Sequence, residues 1–190
     1  MFKKYLFFFL VTVFIFLVRS YPSFAGLPLV EKGFYTGYGI SEDLKDSQGN
    51  YKMVILAGRL GWDLNSLFDN NIPGELIVTV EPFINPVIDP GDNVEMGTHF
   101  MLKYGYRFGA VMPYIEAGTG LMYTTQHVKE QGTQFNFSDQ GGAGLYWFFE
   151  DNTAINFGYR FRHFSNLGIK DPNGGVDIHS GFIGISWFFK

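Results

Sequence analysis

The stretch Val94–Tyr106 reads VEMGTHFMLKYGY, and its two parities separate. The even positions are Val94, Met96, Thr98, Phe100, Leu102, Tyr104 and Tyr106, whereas the odd ones include Glu95, Gly97, His99, Lys103 and Gly105. Successive side chains on a strand point to opposite faces, so this period of two lays an apolar stripe on one face and small or ionisable residues on the other. In 111–123 the odd set Val111, Pro113, Ile115, Ala117, Thr119, Leu121 and Tyr123 opposes Met112, Tyr114, Glu116, Gly118, Gly120 and Met122. The contrast is weaker there but has the same sense.

Working outward from this stretch, eight strands are expected at about 32–40, 51–61, 75–84, 94–107, 111–125, 133–148, 153–165 and 175–189. They are separated by turn chemistry such as DSQGN, NNIPG, NPVIDPGDN, EDN and KDPNGG. Short connections, from Arg107 to Val111 and from Phe149 to Thr153, alternate with longer breaks at 41–50, 85–93 and 166–174. Short turns at one end and long loops at the other are the pattern of an outer-membrane barrel. The segment 62–74, WDLNSLFDNNIPG, is too long for a simple turn on the short side.

The first 25 residues, MFKKYLFFFLVTVFIFLVRSYPSFA, join a basic start to an apolar run from Tyr5 to Val18 and a small-x-small end at Ser23–Ala25. That run is short of the roughly 20 residues a spanning helix needs. A secretory signal peptide over 1–25 is therefore expected, with a single domain over 26–190. Without Lys3, Lys4 and Arg19, 11 basic residues face 18 acidic ones, and nothing suggests a nucleic-acid partner. The absence of cysteine excludes a disulfide framework, a thiol nucleophile and a lipidated N-terminal cysteine. No later segment offers 18 consecutive apolar residues.

The expected fold is all-β, an eight-stranded antiparallel transmembrane β-barrel of the bacterial outer membrane. A soluble lipocalin-like barrel has the same alternation with the faces exchanged. Strand length, and a polar face that mixes few charges with many glycines, favour the membrane. The ending ISWFFK is close to the aromatic C-terminal signature of outer-membrane barrels, with Lys190 added after the usual last position.

The same parity carries chemistry in the last two strands. In 153–165 the odd positions run Ile155, Phe157, Tyr159, Phe161, His163 and Ser165, and in 175–189 they begin Asp177, His179, Gly181. If the hairpin is symmetric about its loop, Asp177 lies across from His163, with Ser165 two residues further along the same face. A hydroxyl beside a base that is oriented by an acid is the arrangement a serine hydrolase needs. It would sit at the upper rim of the barrel's outer wall, where the natural substrate is a lipid.

His163-Phe164-Ser165-Asn166, followed by Pro172-Asn173, Gly175 and Asp177, resembles the C-terminal motif of PagL-type lipid A 3-O-deacylases over about 15 residues. The resemblance implies Ser165 as nucleophile, His163 as general base and then acid, and Asp177 as the orienting acid where the best-known members have Glu. Losing a methylene shortens that reach by roughly 1–1.5 Å. Asp171, the other nearby acid, falls in the loop. The resemblance further implies an oxyanion hole from the backbone N–H groups of Asn166 and Gly168, and lipid A of lipopolysaccharide as substrate. The implied reaction is hydrolysis of the ester-linked 3-hydroxyacyl chain at the 3-position. A serine esterase requires no metal or organic cofactor.

Other polar residues have structural readings. Glu95, His99, Lys103, Glu116, Arg160 and Arg162 share the lumen parity and are expected to plug the interior. His127 falls in a loop, and His179 on the outer face near Asp177 reads as an interfacial residue or a contact for lipid phosphate. Two other readings stay open: a non-enzymatic barrel, or a different outer-membrane lipid enzyme such as a phospholipase or palmitoyl transferase. The sequence also leaves homo-oligomer formation open.

Overall fold

The computed structural model describes residues 23–24, 26–42, 44 and 49–189. Apart from Ser23 and Phe24, the expected signal segment lies outside the described residues, as does Lys190. Eight long strands follow one another: β1 (Leu27–Ser41), β2 (Lys52–Asp63), β3 (Glu75–Asp89), β4 (Asn93–Gly105), β5 (Val111–Thr124), β6 (Phe135–Glu150), β7 (Thr153–Ser165) and β8 (Val176–Phe188). Each is antiparallel to the next, and β1 pairs with β8 from Glu31↔Phe188 to Ser41↔Ile178, which closes the barrel. A two-residue strand, Ser23–Phe24, pairs with the start of β1.

Burial decides which face is which. On β4, Phe100 and Leu102 are 46% and 49% exposed, whereas Glu95 and Lys103 are 0% and 1% exposed. Phe34, Ile115, Leu145, Phe157 and Ile183 face outward in the same way on other strands. A water-soluble barrel would bury the apolar set and solvate the charged one. Here the polarity is inverted, as a hydrocarbon surrounding requires.

The lumen is filled by charges that pair with one another. Arg59 Nε meets Glu81 at 2.6 Å, Arg160 reaches Glu81 at 2.7 Å and Glu116 at 2.5 Å, Arg162 meets Glu95 at 2.7 Å, and Lys103 pairs with Glu31. Tyr35, Tyr51 and Tyr146 add hydroxyls to the same carboxylates. Burying such ions is costly unless each is paired and hydrogen-bonded, so removing one partner strands another. His99 lies among them stacked on Phe83, with ring centroids 4.3 Å apart.

One expectation is corrected, and one open segment is resolved. The break foreseen at 85–93 is mostly strand, because β3 continues to Asp89 and β4 resumes at Asn93. Proline there does not end the strand. Pairing with β4 runs unbroken through Pro82↔Thr98 and Pro86↔Val94, while the β2–β3 register skips the positions around both prolines. The missing N–H groups fall on the β2 side, where Asn85 Oδ1 instead accepts the Leu56 N–H at 3.0 Å. The segment 62–74 completes β2, forms a 3-10 turn at Asn65–Phe68 and returns to β3. Asn65 ties it, donating to Gly74 O at 2.6 Å and accepting from Leu76 N at 2.9 Å.

Candidate active site on the outer wall

The last hairpin pairs with the register that a symmetric loop predicts: Phe161↔His179, His163↔Asp177 and Phe164↔Val176. His163 Nδ1 and Asp177 Oδ1 are 2.6 Å apart, with side chains 42% and 41% exposed. The aspartate's shorter reach is therefore sufficient, because the two residues sit directly opposite each other. Ser165 is half-buried two residues beyond His163 on the same face, and among the described residues its hydroxyl takes no hydrogen bond. The structure thus joins the acid to the base, and leaves the hydroxyl beside them unengaged. Nucleophile–base contacts are often longer before substrate binds.

The loop 166–175 is organised by one buried side chain. Asn166 Nδ2 donates to Lys170 O at 2.8 Å and Pro172 O at 3.1 Å, and Asn166 Oδ1 accepts the Gly168 N–H at 2.9 Å. The Asn166 N–H itself points to Gln131 Oε1 at 3.1 Å and Asn173 Oδ1 at 2.9 Å. Both N–H groups expected to form an oxyanion hole are therefore committed to side-chain amides of the loops. Either can serve an oxyanion only if its present acceptor gives way.

Gly175 closes the loop with φ +75, a conformation glycine adopts without penalty. A Cβ there would collide with Cε1 of the His163 imidazole and approach Nε2 to 3.0 Å. The backbone at 175 is consequently a wall for the ring. The sequence marks Gly175 only as part of a motif; its role comes from this contact.

A further acid escapes the sequence reading. Asp139 on β6 is the Cα partner of His163 on the side away from Asp177, and it is exposed on the outer face. The carboxylate is not within ion-pair distance of the ring. One rung toward the membrane, His179 Nδ1 lies 2.6 Å from Tyr159 OH, and its Nε2 lies 3.4 Å from Glu42. His127 is exposed in the β5–β6 loop. No group of three or more metal-binding side chains occurs among the described residues.

A family model described as lipid A 3-O-deacylase (PagL) matches residues 45–186. A lipid A deacylase PagL from Pseudomonas aeruginosa is 37% identical over 82 residues, which cover 42% of this chain and 45% of that protein. The lipid A deacylase PagL of Bordetella bronchiseptica is 43% identical over 68 residues, 34% of this chain and 36% of that protein. These alignments span less than half the length of either relative. Among solved structures, the outer membrane enzyme PagL superposes with a TM-score of 0.57 at 23% identity, over 81% of this chain and 97% of the other. Neisserial surface protein A gives a TM-score of 0.60 at 14% identity, over 84% and 96%. At such identities the superpositions speak for the barrel fold alone.

Proposed function

The chain belongs to the lipid A 3-O-deacylase (PagL) family, and from that premise we propose that this outer-membrane barrel hydrolyses the ester-linked 3-hydroxyacyl chain at the 3-position of lipid A. The observation that carries the reading is the 2.6 Å contact between His163 and Asp177 on the outer wall, with Ser165 next on the same face. A lipid-exposed hydrolytic constellation has little use for a water-soluble substrate. An ester at the level of the outer-leaflet headgroups is within its reach. Residues 1–25 as a cleaved export signal and 26–190 as the mature barrel belong to the same proposal.

In the proposed reaction the Asp177 carboxylate accepts a hydrogen bond from His163 Nδ1–H, which leaves Nε2 as the base. Ser165 Oγ attacks the ester carbonyl carbon as its proton passes to His163 Nε2. The tetrahedral intermediate collapses, and the sugar oxygen departs with the proton that His163 returns. Water, deprotonated by the same nitrogen, then attacks the acyl-serine carbonyl carbon, and the collapse breaks the bond to Ser165 Oγ, which takes the proton back from His163 as the fatty acid leaves. The Asn166 and Gly168 N–H groups are the proposed oxyanion donors, on condition that the loop frees them.

Mass spectrometry of lipid A from outer membranes carrying the protein tests this directly. Wild-type protein should remove one 3-hydroxyacyl chain, and Ser165→Ala or His163→Ala should remove none while still migrating as a heat-modifiable barrel. Asp177→Ala should retain a small residual rate, since losing the orienting acid typically costs on the order of 10⁴ in rate. Unchanged lipid A in the presence of folded wild-type protein and a substrate bearing the 3-O-ester would sink the proposal.

A further inference from the structure

The chain that follows Ser165 enters a tight turn, Asn166 to Ile169, closed by the Ile169 N–H donating to Asn166 O at 3.1 Å. Its two central residues, Leu167 and Gly168, have φ of +52 and +79, the positive pair of a type I′ turn. Gly, Asn and Asp dominate those positions, because a Cβ there crowds the backbone. Gly168 conforms to that rule and Leu167 does not.

Burial does not account for the leucine either. At 66%, Leu167 is the most exposed large apolar side chain among the described residues, and Ile169 beside it is 62% exposed. The outward stripe of β7, Phe157, Tyr159 and Phe161, continues in the chain through His163 and Ser165 to these two residues. A side chain that suits neither its own backbone nor water, next to a reactive group, is explained by a contact outside the chain.

Gly168 lies between the two side chains, and its N–H is engaged by Asn166 Oδ1. That N–H meets an oxyanion only after leaving this acceptor, so the turn moves in each reaction cycle. There is room for it to do so, since a Cβ on Gly168 would meet no atom within 4 Å. The same movement carries Leu167 and Ile169 along.

We infer that Leu167 and Ile169 are the contact through which the site takes hold of an acyl chain of lipid A, and that this contact favours the open turn in which the Gly168 N–H is free. The coupling to Gly168 rests on the deacylase reading. An acyl chain is the occupant because both side chains are wholly apolar and continuous with the lipid-facing wall. Burying one such side chain shifts an equilibrium by roughly tenfold or more, comparable with the net worth of the hydrogen bond that the turn gives up.

Leu167→Asn separates this contact from a role in the loop's own fold. Asparagine suits a positive φ better than leucine, so the variant should keep the turn while losing the contact. Deacylation rates measured on the refolded protein in micelles of detergent and lipid A should fall about tenfold for Leu167→Asn and Ile169→Ala, and Leu167→Met should stay within about twofold of wild type. A wild-type rate in Leu167→Asn overturns the inference. A second measurement is independent of turnover and of that variant's folding. The chain has no cysteine, so Leu167→Cys or Ile169→Cys carries a single bimane label, in a Ser165→Ala background that leaves lipid A intact. Bimane emission should move to the blue when lipid A is added to phosphatidylcholine vesicles holding the protein, and should one labelled variant fail to refold, the other serves. Emission that lipid A leaves unchanged overturns the inference. A blue shift with no acyl release by wild-type protein would instead sink the deacylase reading and leave the contact standing.

Discussion

The imidazole of His163 is constrained on two sides, by the Asp177 carboxylate on Nδ1 and by the Gly175 backbone against the ring. The first constraint selects a tautomer, and the second leaves the ring one place to lie. Gly175→Ala should push the imidazole off the line to Ser165 and also strain a backbone at φ +75. A misplacement of about 1 Å can cost on the order of 100-fold in rate, and a loss of that size is expected with the barrel intact. Wild-type rates in Gly175→Ala would show that the contact does not position the base. The shared outer face of His163, Ser165 and Asp177 was legible in the sequence because face and rung follow from a period of two. The wall at Gly175 was not, because a glycine's missing side chain announces space without saying what fills it.

At the scale of elements, two connections illustrate what register depends on. The β7–β8 loop is long, yet its hairpin is symmetric, and simple counting places Asp177 opposite His163. The β6–β7 turn is short but irregular. Its register shifts between Phe148 and Glu150. Counting back from Glu150↔Thr153 without that shift puts the lumen-facing Gln140 across from His163, and only the bulge brings Asp139 there. The loop 166–175 depends similarly on the single Asn166 side chain, which satisfies three backbone groups. Asn166→Ala should leave the barrel folded and open the loop. Limited proteolysis checks this: trypsin should cut after the exposed Lys170 in the variant and spare the wild-type protein. Equal resistance in both would mean that the loop is held by the backbone bonds from Gly132 N to Pro172 O and from Gly174 N to Glu130 O, which tie it to the β5–β6 loop.

At the scale of the whole molecule, the outer wall and the lumen have exchanged the roles they hold in a soluble barrel. Phe100 lies midway along β4 and faces out. Phe100→Arg should destabilise the barrel in a bilayer by roughly 2–4 kcal/mol, the range for a cation at the midplane, as measured by denaturant unfolding in liposomes. A neutral outcome would contradict a hydrocarbon surrounding at that position. The interior obeys the opposite rule, because carboxylates such as Glu81 and Glu116 depend on arginines from distant strands.

The sequence by itself determined the strands, their alternation, the last hairpin's register and the residues sharing its outer face, since all of these follow from local backbone geometry and from pairing across one loop. Alternation reads the same inside out, so the lumen face was read from strand length and the glycine-rich polar face, and closure of the sheet on its own charges bears that assignment out. The tertiary structure alone decided that Asp139 flanks His163 and that Gln131 accepts the N–H that follows Ser165. Those neighbours come from a bulge and from contact between two loops, and neither has a period that a sequence can display.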